Sequence, residues 1–450
     1  MTARRILIIG WLVFALYAYP GYLSVDSIDQ LIDSRVGAFT DWHSPMMTEV
    51  WRIVGWFVSG PAGMLLLQSI VFLVGAFALF RRVVTERAAA IAAVCMLVFP
   101  PVMATLAVIW PQSQLAAYLV ACAVAATSKR RAIRIASLGF AFLACGMCGG
   151  GTIATLPIIV LGWQWHVGWR RWHQYATATG VWLIIALAAL GVSSLLVDAK
   201  TDRNTIELAT TDIVGILNYA PELTDGDIAT AFEGVTLPSP LALQARARAS
   251  YGHPERYTAG AAPLFESPST PTALDALLHV RRSLALTYPG AYVAHRWHET
   301  VRILGLSRTK QWKPVYTSFV ESAALRDPIR YTARHAPVQK VLMFGVRALE
   351  HTFLFHPYWY LILALLLAPL AIKRGQRDAV LLLSSGIVYE LAQAVTCTTP
   401  SFRDSFWLVV ATSLAIIIMR FRQQSQKRPK PEDDLVPPRH VGSRPLASSL

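Results

Sequence analysis

The sequence predicts an all-α membrane protein: a bundle of about ten transmembrane helices with one mostly helical extracytoplasmic domain. Hydrophobic residues make up 54% of its 450 residues and charged residues only 15%, against about a quarter in soluble domains. The mean hydropathy is +0.43. Long apolar runs alternate with short basic loops, and one polar segment of about 150 residues is long enough to form a small domain.

Ten apolar segments approach the roughly twenty residues that cross a bilayer. In order they cover residues 6–22, 56–80, 88–109, 115–127, 133–147, 152–165, 175–197, 353–372, 379–397 and 406–419. Pro100 and Pro101 predict a bend in the third segment. A glycine-rich break at 148–151 separates the fifth segment from the sixth.

Basic residues occupy alternate short loops, as the positive-inside rule requires of cytoplasmic loops. They include Arg81, Arg82, Lys129, Arg130, Arg131, Arg170, Arg171, Lys373 and Arg374. We therefore expect both termini in the cytoplasm. The first segment lacks an A-x-A cleavage site after Arg4 and Arg5, which favours an uncleaved signal anchor.

This orientation divides the chain into four regions. Residues 1–197 form an N-terminal transmembrane region whose first outer loop is 24–54, and 198–350 form the extracytoplasmic domain. Residues 351–421 form a C-terminal transmembrane region. Residues 422–450, rich in Pro, Ser, Lys and Arg, are expected to be a disordered cytoplasmic tail.

Within the outer segment we expect mostly short helices and few strands. Residues 225–227 read as a turn or cap leading into 228–232. Two amphipathic helices are expected at 274–288 and 292–304, and 238–271 looks rich in loops.

Composition excludes several classes of protein. The net charge of +14 does not indicate a nucleic-acid partner, because the basic residues lie largely in topology-setting loops. The five cysteines lie in or beside apolar runs, which argues against a disulfide framework. No phosphate-binding glycine loop or dinucleotide fingerprint is present.

The first outer loop carries the strongest candidates for chemistry. Asp26 and Asp29 are three residues apart and thus neighbours on one helical face, and His43 follows in the same loop. Carboxylates there can act as a general base or hold a hard cation such as Mg²⁺ or Mn²⁺, with Asp26 as its ligand. A plain interfacial helix with solvated acids is the alternative.

Arg403 is the one basic residue in the last outer turn, and arginine suits bidentate phosphate binding. An ion pair with Asp404 or contact with lipid headgroups is the alternative. Glu390 and Gln393 lie nearly on one face inside the ninth segment and are candidate supporting residues. His295, His298 and Glu299 resemble half a metal site but fit a helix surface better.

These features together resemble the GT-C-type membrane glycosyltransferases, in particular divergent bacterial members that use polyprenyl-phosphate-linked sugars. The likeness lies in the first span followed by 20–30 and Asp41-Trp42-His43, in the large outer domain after the seventh span, and in Phe402-Arg403 before the last span.

The resemblance implies a bacterial inner-membrane enzyme that transfers a sugar from a lipid-linked donor to a glycan or lipid acceptor. Asp26, with Asp29 in reserve, matches the first-loop base or metal-linked acid. His43 matches a first-loop histidine, and Arg403 matches the residue that holds the donor phosphate.

The chain also departs from that family pattern. Gln112 stands where many relatives carry an acid, and the break at 148–151 lacks an arginine that relatives often have there. A cation held by acids of two loops is thus in question, as is activity itself. A glycan polymerase or ligase, a transporter or flippase, and a non-catalytic scaffold remain alternatives.

Overall fold

The computed structural model describes residues 1–167, 172–233, 235, 237, 242–253, 256–258, 263–307, 314–318, 335–398 and 400–427. Within those ranges the chain forms nineteen α-helices and no strand. Two isolated β-bridges join Tyr22 to Val108 and Thr40 to Ala199.

Ten helices precede the polar segment. They are α1 Ala3–Ala18, α2 Val25–Val36, α3 Pro45–Gly55, α4 Ala62–Phe80, α5 Glu86–Leu97, α6 Pro100–Leu106, α7 Pro111–Ala126, α8 Arg131–Met147, α9 Gly149–Val167 and α10 Trp172–Leu196.

Nine helices and two 3-10 turns follow. The helices are α11 Arg203–Tyr219, α12 Asp225–Ala231, α13 Leu243–Ser250, α14 Pro271–Thr287, α15 Pro289–Ile303, α16 Pro337–Ala348, α17 Pro357–Lys373, α18 Arg377–Thr396 and α19 Phe406–Lys427. The 3-10 turns cover Phe353–Phe355 and Phe402–Ser405.

Each of the ten predicted membrane segments falls on a helix or, for the third, on a bent pair. Four stretches are long and apolar enough to cross a membrane: Ala62–Phe80, Trp172–Leu196, Arg377–Thr396 and Phe402–Gln423. The α5–α6 pair, bent by 66°, makes a fifth. The remaining segments lie on helices of 16 to 19 residues. The all-α polytopic fold is confirmed, and the number of ten spans stays a prediction.

The two expected breaks are present. Helix α5 ends at Leu97, and Pro100 and Pro101 begin α6, because proline fits the first helical turn but not the helix interior. The glycine-rich break lies at Cys148, whose backbone is extended between α8 and α9. Gly151 is required there, since a Cβ would stand 2.1 Å from the carbonyl oxygen of Ala144.

The described residues form two large hydrophobic cores and one small cluster of Cys145, Ala186 and Ala189. The larger core joins the membrane-region helices, and the smaller one lies among α11, α12, α13 and α14, with Phe232 and Phe265 stacked at 6.0 Å. Val315, Met343 and Val346 belong to the larger core. The last part of the polar segment therefore packs on the bundle rather than on the small domain.

The expected outer helices are present as α14 and α15. Thr224 and Asp227 form a capping box at the start of α12, where a cap was expected.

The first loop is held firmly against the bundle. The backbone N–H of Tyr22 donates to the carbonyl of Ala107, and that of Ile109 donates to the carbonyl of Tyr22. Ser27 Oγ donates to the Ile109 carbonyl at 2.7 Å. These bonds satisfy backbone groups that the helix breaks leave without a helical partner, and they fix where α2 begins.

Candidate functional site

Helix α2 presents Asp26 in its first turn. Ser24 caps the helix, accepting from the Ser27 backbone N–H, and Trp110 Nε1 donates to Ser24 Oγ at 2.9 Å. A capped helix start holds its side chains in one orientation, so Asp26 has a defined position beside the start of α7.

The turn at Phe402–Ser405 presents Arg403. Asp404 accepts from the Ser401 backbone N–H at 3.0 Å and from the Ser401 hydroxyl at 2.8 Å. The Arg403 guanidinium lies 5.2 Å from the centre of the Trp110 ring, within reach of a cation–π interaction. Gln112 Nε2 donates to Asp404 at 3.4 Å, so this side chain supports the turn that carries Arg403.

Asp26 and Arg403 meet as an ion pair, called here the site pair. Arg403 Nη1 donates to Asp26 Oδ2 at 3.0 Å, across 377 residues of sequence. The two side chains are 41% and 26% exposed. Arg403 Nε is buried and has no hydrogen-bond partner among the described residues. The site pair therefore keeps donor capacity for a further anion.

His43 lies beside the site pair. Its imidazole is 9% exposed, and Nε2 is 3.9 Å from Asp29 Oδ2, too far for a hydrogen bond. Burial lowers the pKa of His43 to about 4; the charge of Asp26 opposes that shift, and those of Arg203 and Arg403 add to it. The ring is consequently neutral at pH 7, with Nε2 unpartnered within the described chain.

Two other acids of the first loop, Asp29 and Asp41, lie in different surroundings. Burial, and then the charge of Asp26, raises the pKa of Asp29. Asp41 bonds to the start of α11 instead of the site pair and receives the backbone N–H of Asp202 at 2.9 Å. Partial burial works against the charged form of Asp41, yet its hydrogen bonds from Thr201 and Asp202 lower its pKa. Asp41 thus joins the first loop to the start of α11 by hydrogen bonds.

Glu390 and Gln393 are both buried on α18. Ser405 Oγ donates to Glu390 Oε1 at 2.7 Å, while Glu390 Oε2 has no partner in the described ranges. Glu390 therefore anchors the end of the Arg403 turn, and its hydrogen bond leads to that turn rather than to the first loop. Its role, like that of Gln393, stays a prediction.

Two residues of α11 that sequence reasoning missed also reach this site. The Arg203 guanidinium lies 3.7 Å from the centre of the Trp42 ring. Thr398 Oγ1 is within 3.5 Å of Glu207 Oε2. Arg203 and Glu207 are four residues apart and so share one helix face; that spacing was the available signal.

The expectation that His295, His298 and Glu299 form a helix surface is wrong for two of the three. His295 is fully buried and Glu299 is 2% exposed. His295 Nε2 lies 3.5 Å from Asp212 Oδ1, and Arg302 pairs with Glu299 at 2.9 Å. Internal charge partners make burial tolerable for these polar groups.

The acids do not make a set of ligands that suits a divalent cation. In the described residues, no three His, Cys, Asp or Glu side chains converge as a metal site. Asp26, the predicted ligand, is instead bound to Arg403. A Mg²⁺ or Mn²⁺ ion prefers several oxygen ligands, and the described side chains near Asp26 do not supply such a set.

No family model and no curated protein matches the chain. Two solved structures are similar to it: crystal structures of ArnT from Cupriavidus metallidurans, one bound to undecaprenyl phosphate and one in the apo state. Each superposition covers 92% of this chain, with 77% and 76% of the ArnT chains, 14% identity, and TM-scores of 0.33 and 0.32. TM-scores this low show no activity for this chain. The activity proposed below rests on the chain's own residues.

Proposed function

We propose that the chain is a membrane glycosyltransferase that moves a sugar from a polyprenyl-phosphate donor to a hydroxyl of an envelope glycan or lipid. The site would lie on the extracytoplasmic side of a bacterial inner membrane. The observation that carries the proposal is the site pair, Asp26 with Arg403, which joins two loops.

The phosphate chemistry follows from Arg403. Cleavage of the donor's sugar–oxygen bond leaves negative charge on a lipid phosphate, and a fixed guanidinium stabilises that charge. Arg403 is fixed by Asp26 and by the Trp110 ring, and its buried Nε is a spare donor. A positioned cation of this kind requires little reorganisation when charge develops.

The acceptor side needs polar groups that orient a hydroxyl. A neutral His43 can accept a hydrogen bond from that hydroxyl or donate one to it, since its pKa of about 4 leaves it uncharged at pH 7. Asp26 and Asp29 contribute negative charge beside it. Attack from the face opposite the phosphate would invert the anomeric carbon.

The location suits a lipid-borne donor. The site pair lies where α2 and the turn before α19 meet, and the stretch Phe402–Gln423 is apolar enough to span a membrane. A phosphate at a bilayer surface would reach Arg403 while its polyprenyl chain stays in lipid.

Transfer by purified protein in lipid vesicles tests the proposal. We expect sugar transfer from a panel of polyprenyl-phosphate sugars to alkyl glycoside acceptors. Arg403→Ala should lower kcat about 100-fold or more, the usual loss when a charge-stabilising donor is removed. Asp26→Asn should also lower kcat, because it removes the carboxylate that positions Arg403. Arg248→Ala and Asp225→Asn, both on exposed positions of the small domain, are matched controls expected to retain activity.

The same vesicles distinguish the alternatives. If no donor supports transfer while the protein moves a lipid-linked sugar across the bilayer, the glycosyltransferase proposal is wrong and a flippase is favoured. Transfer that survives both site-pair variants would show that the active site lies elsewhere.

A further inference from the structure

We infer that Glu207, on the small domain's first helix, is the group that takes the proton from the acceptor hydroxyl. This inference rests on the proposed glycosyl transfer and assigns the general base of that reaction. It also makes the small domain part of the active site rather than an appendage.

The start of α11 is held against the first loop by several bonds. The Asn204 amide donates to the Asp41 carbonyl at 2.9 Å, and the Asp202 N–H donates to the Asp41 carboxylate at 2.9 Å. Arg203 covers the Trp42 ring, next to His43. The start of α11 is thereby held against Asp41 and Trp42 of the first loop, next in sequence to His43.

A second set of contacts holds α11 from the other side. Thr398 Oγ1 lies 3.5 Å from Glu207 Oε2, and Arg296 Nη1 donates to the Cys397 carbonyl at 2.9 Å. Residues 397 and 398 shortly precede the turn that carries Arg403. Glu207 is therefore placed between the first loop and the Arg403 turn, the two loops that build the site.

Electrostatic coupling agrees with that placement. The charge of Asp26 acts on Glu207, and the charges of Asp26, Arg203 and Arg403 all act on His43. Asp26 and Arg203 thus act on both Glu207 and His43, whose imidazole is 9% exposed.

Glu207 is better suited than Asp26 to accept a proton. Asp26 Oδ2 already accepts a hydrogen bond from Arg403, so that oxygen is engaged before any acceptor binds. Among the described residues, the Glu207 carboxylate has one long hydrogen bond, from Thr398 Oγ1 at 3.5 Å. Burial raises the pKa of Glu207, against the charge of Arg203 and the Thr398 contact, while Asp26 adds to the rise. A carboxylate with a raised pKa is the stronger base near neutral pH.

The step balances without a further reactant. The acceptor oxygen forms a bond to the anomeric carbon as the bond from that carbon to the phosphate oxygen breaks. The leaving phosphate takes the bonding electron pair and is neutralised by Arg403. The hydroxyl proton passes to the Glu207 carboxylate, and a neutral glycoside and polyprenyl phosphate are released.

The test uses the full-length protein in vesicles with a polyprenyl-phosphate sugar and two nucleophiles, an alkyl glycoside and azide. Glu207→Gln should lower kcat toward the alkyl glycoside about 100-fold or more, with KM changed less than about twofold. Azide needs no base, so Glu207→Gln should form glycosyl azide at close to the wild-type rate. Glu207→Asp should retain part of the alkyl glycoside activity and shift the acidic limb of the pH–rate profile. Glu222→Gln, at an exposed position of the same domain, is the control.

The failures are distinguishable. Absence of transfer in the wild type overturns the proposed function and this inference with it. Wild-type transfer that persists in Glu207→Gln with an unchanged pH profile overturns this inference alone. A Glu207→Gln variant that is equally impaired toward azide has lost structure rather than a base, and also overturns it.

Discussion

Two of the places where an acid meets arginine in this protein are built in opposite ways. The site pair, Asp26 and Arg403, makes one bond of 3.0 Å between side chains that are 41% and 26% exposed. The second place, called here the domain cluster, consists of Asp212, Arg281, His295 and Arg296. Asp212 is fully buried and lies 2.7 Å from Arg281 Nε and 2.5 Å from Arg296 Nη2.

From this difference we infer that the charges of the site pair serve ligand binding and those of the domain cluster serve stability. In the domain cluster, burial opposes ionisation of Asp212, yet the bond to His295 and the charges of Arg296 and Arg281 lower its pKa. In the domain cluster two arginines lie against one fully buried acid. In the site pair one arginine meets an acid that is 41% exposed, so a ligand can approach it from solvent. Stability should therefore depend on the domain cluster and transfer on the site pair.

The largest expected effect on stability comes from Asp212→Asn. Removing one partner of a buried ion pair leaves charge uncompensated and typically costs about 3–5 kcal/mol. Denaturant unfolding of the purified protein should show that loss. Asp225→Asn, exposed in the first turn of α12, should change the free energy of unfolding by less than about 1 kcal/mol. Equal losses in both variants would contradict the contrast.

The next effect is a pH dependence from His43. Its pKa is about 4 in the folded protein against an ordinary value of 6.5, so the unfolded chain binds a proton that the folded chain does not. Stability should consequently fall as pH is lowered from 6.5 to 4, by at most about 3 kcal/mol. His43→Gln should flatten the decline in that window. His351→Gln, at a side chain 76% exposed, should leave it unchanged; an unaltered slope in His43→Gln would refute the assignment.

A smaller effect is expected from Gly215→Ala. A Cβ on Gly215 would lie 2.1 Å from His295 Cγ, so the substitution forces α11 and the His295 ring of α15 apart. Overpacking of this kind costs about 1–3 kcal/mol. A Cβ on Gly290, in the first turn of α15, meets nothing within 4 Å. Gly290→Ala should be neutral or slightly stabilising in thermal unfolding. An equal loss of stability in Gly290→Ala would contradict the role assigned to the contact between Gly215 and His295.

The smallest expected effect on stability is that of Asp26→Asn. Ion pairs with solvent access contribute about 1 kcal/mol or less, so the melting temperature should hardly change while transfer is lost. A large drop in stability would place the site pair with the domain cluster as a structural contact.

The sequence was informative where local rules govern structure. Pro100 and Pro101 marked the bend before α6, and the amphipathic patterns marked α14 and α15. Topology put Asp26, His43 and Arg403 on one side of the membrane, and the structure brings all three together.

Other features depend on contacts between residues far apart in the sequence, which no local pattern predicts. The polar run around His295 reads as a surface because its partner, Asp212, lies far earlier in the chain and Gly215 admits the ring by lacking a side chain. Glu207 could not be assigned to the site, since its position depends on α11 docking against both Asp41 and Thr398.

Asp26 and Arg403 are 377 positions apart in sequence, and this separation also bears on how the protein is made. During synthesis the acids of the first loop are made long before Arg403. The ion pair can therefore form only after residue 403 has been synthesised, so the intervening helices fold while Asp26 still lacks this partner.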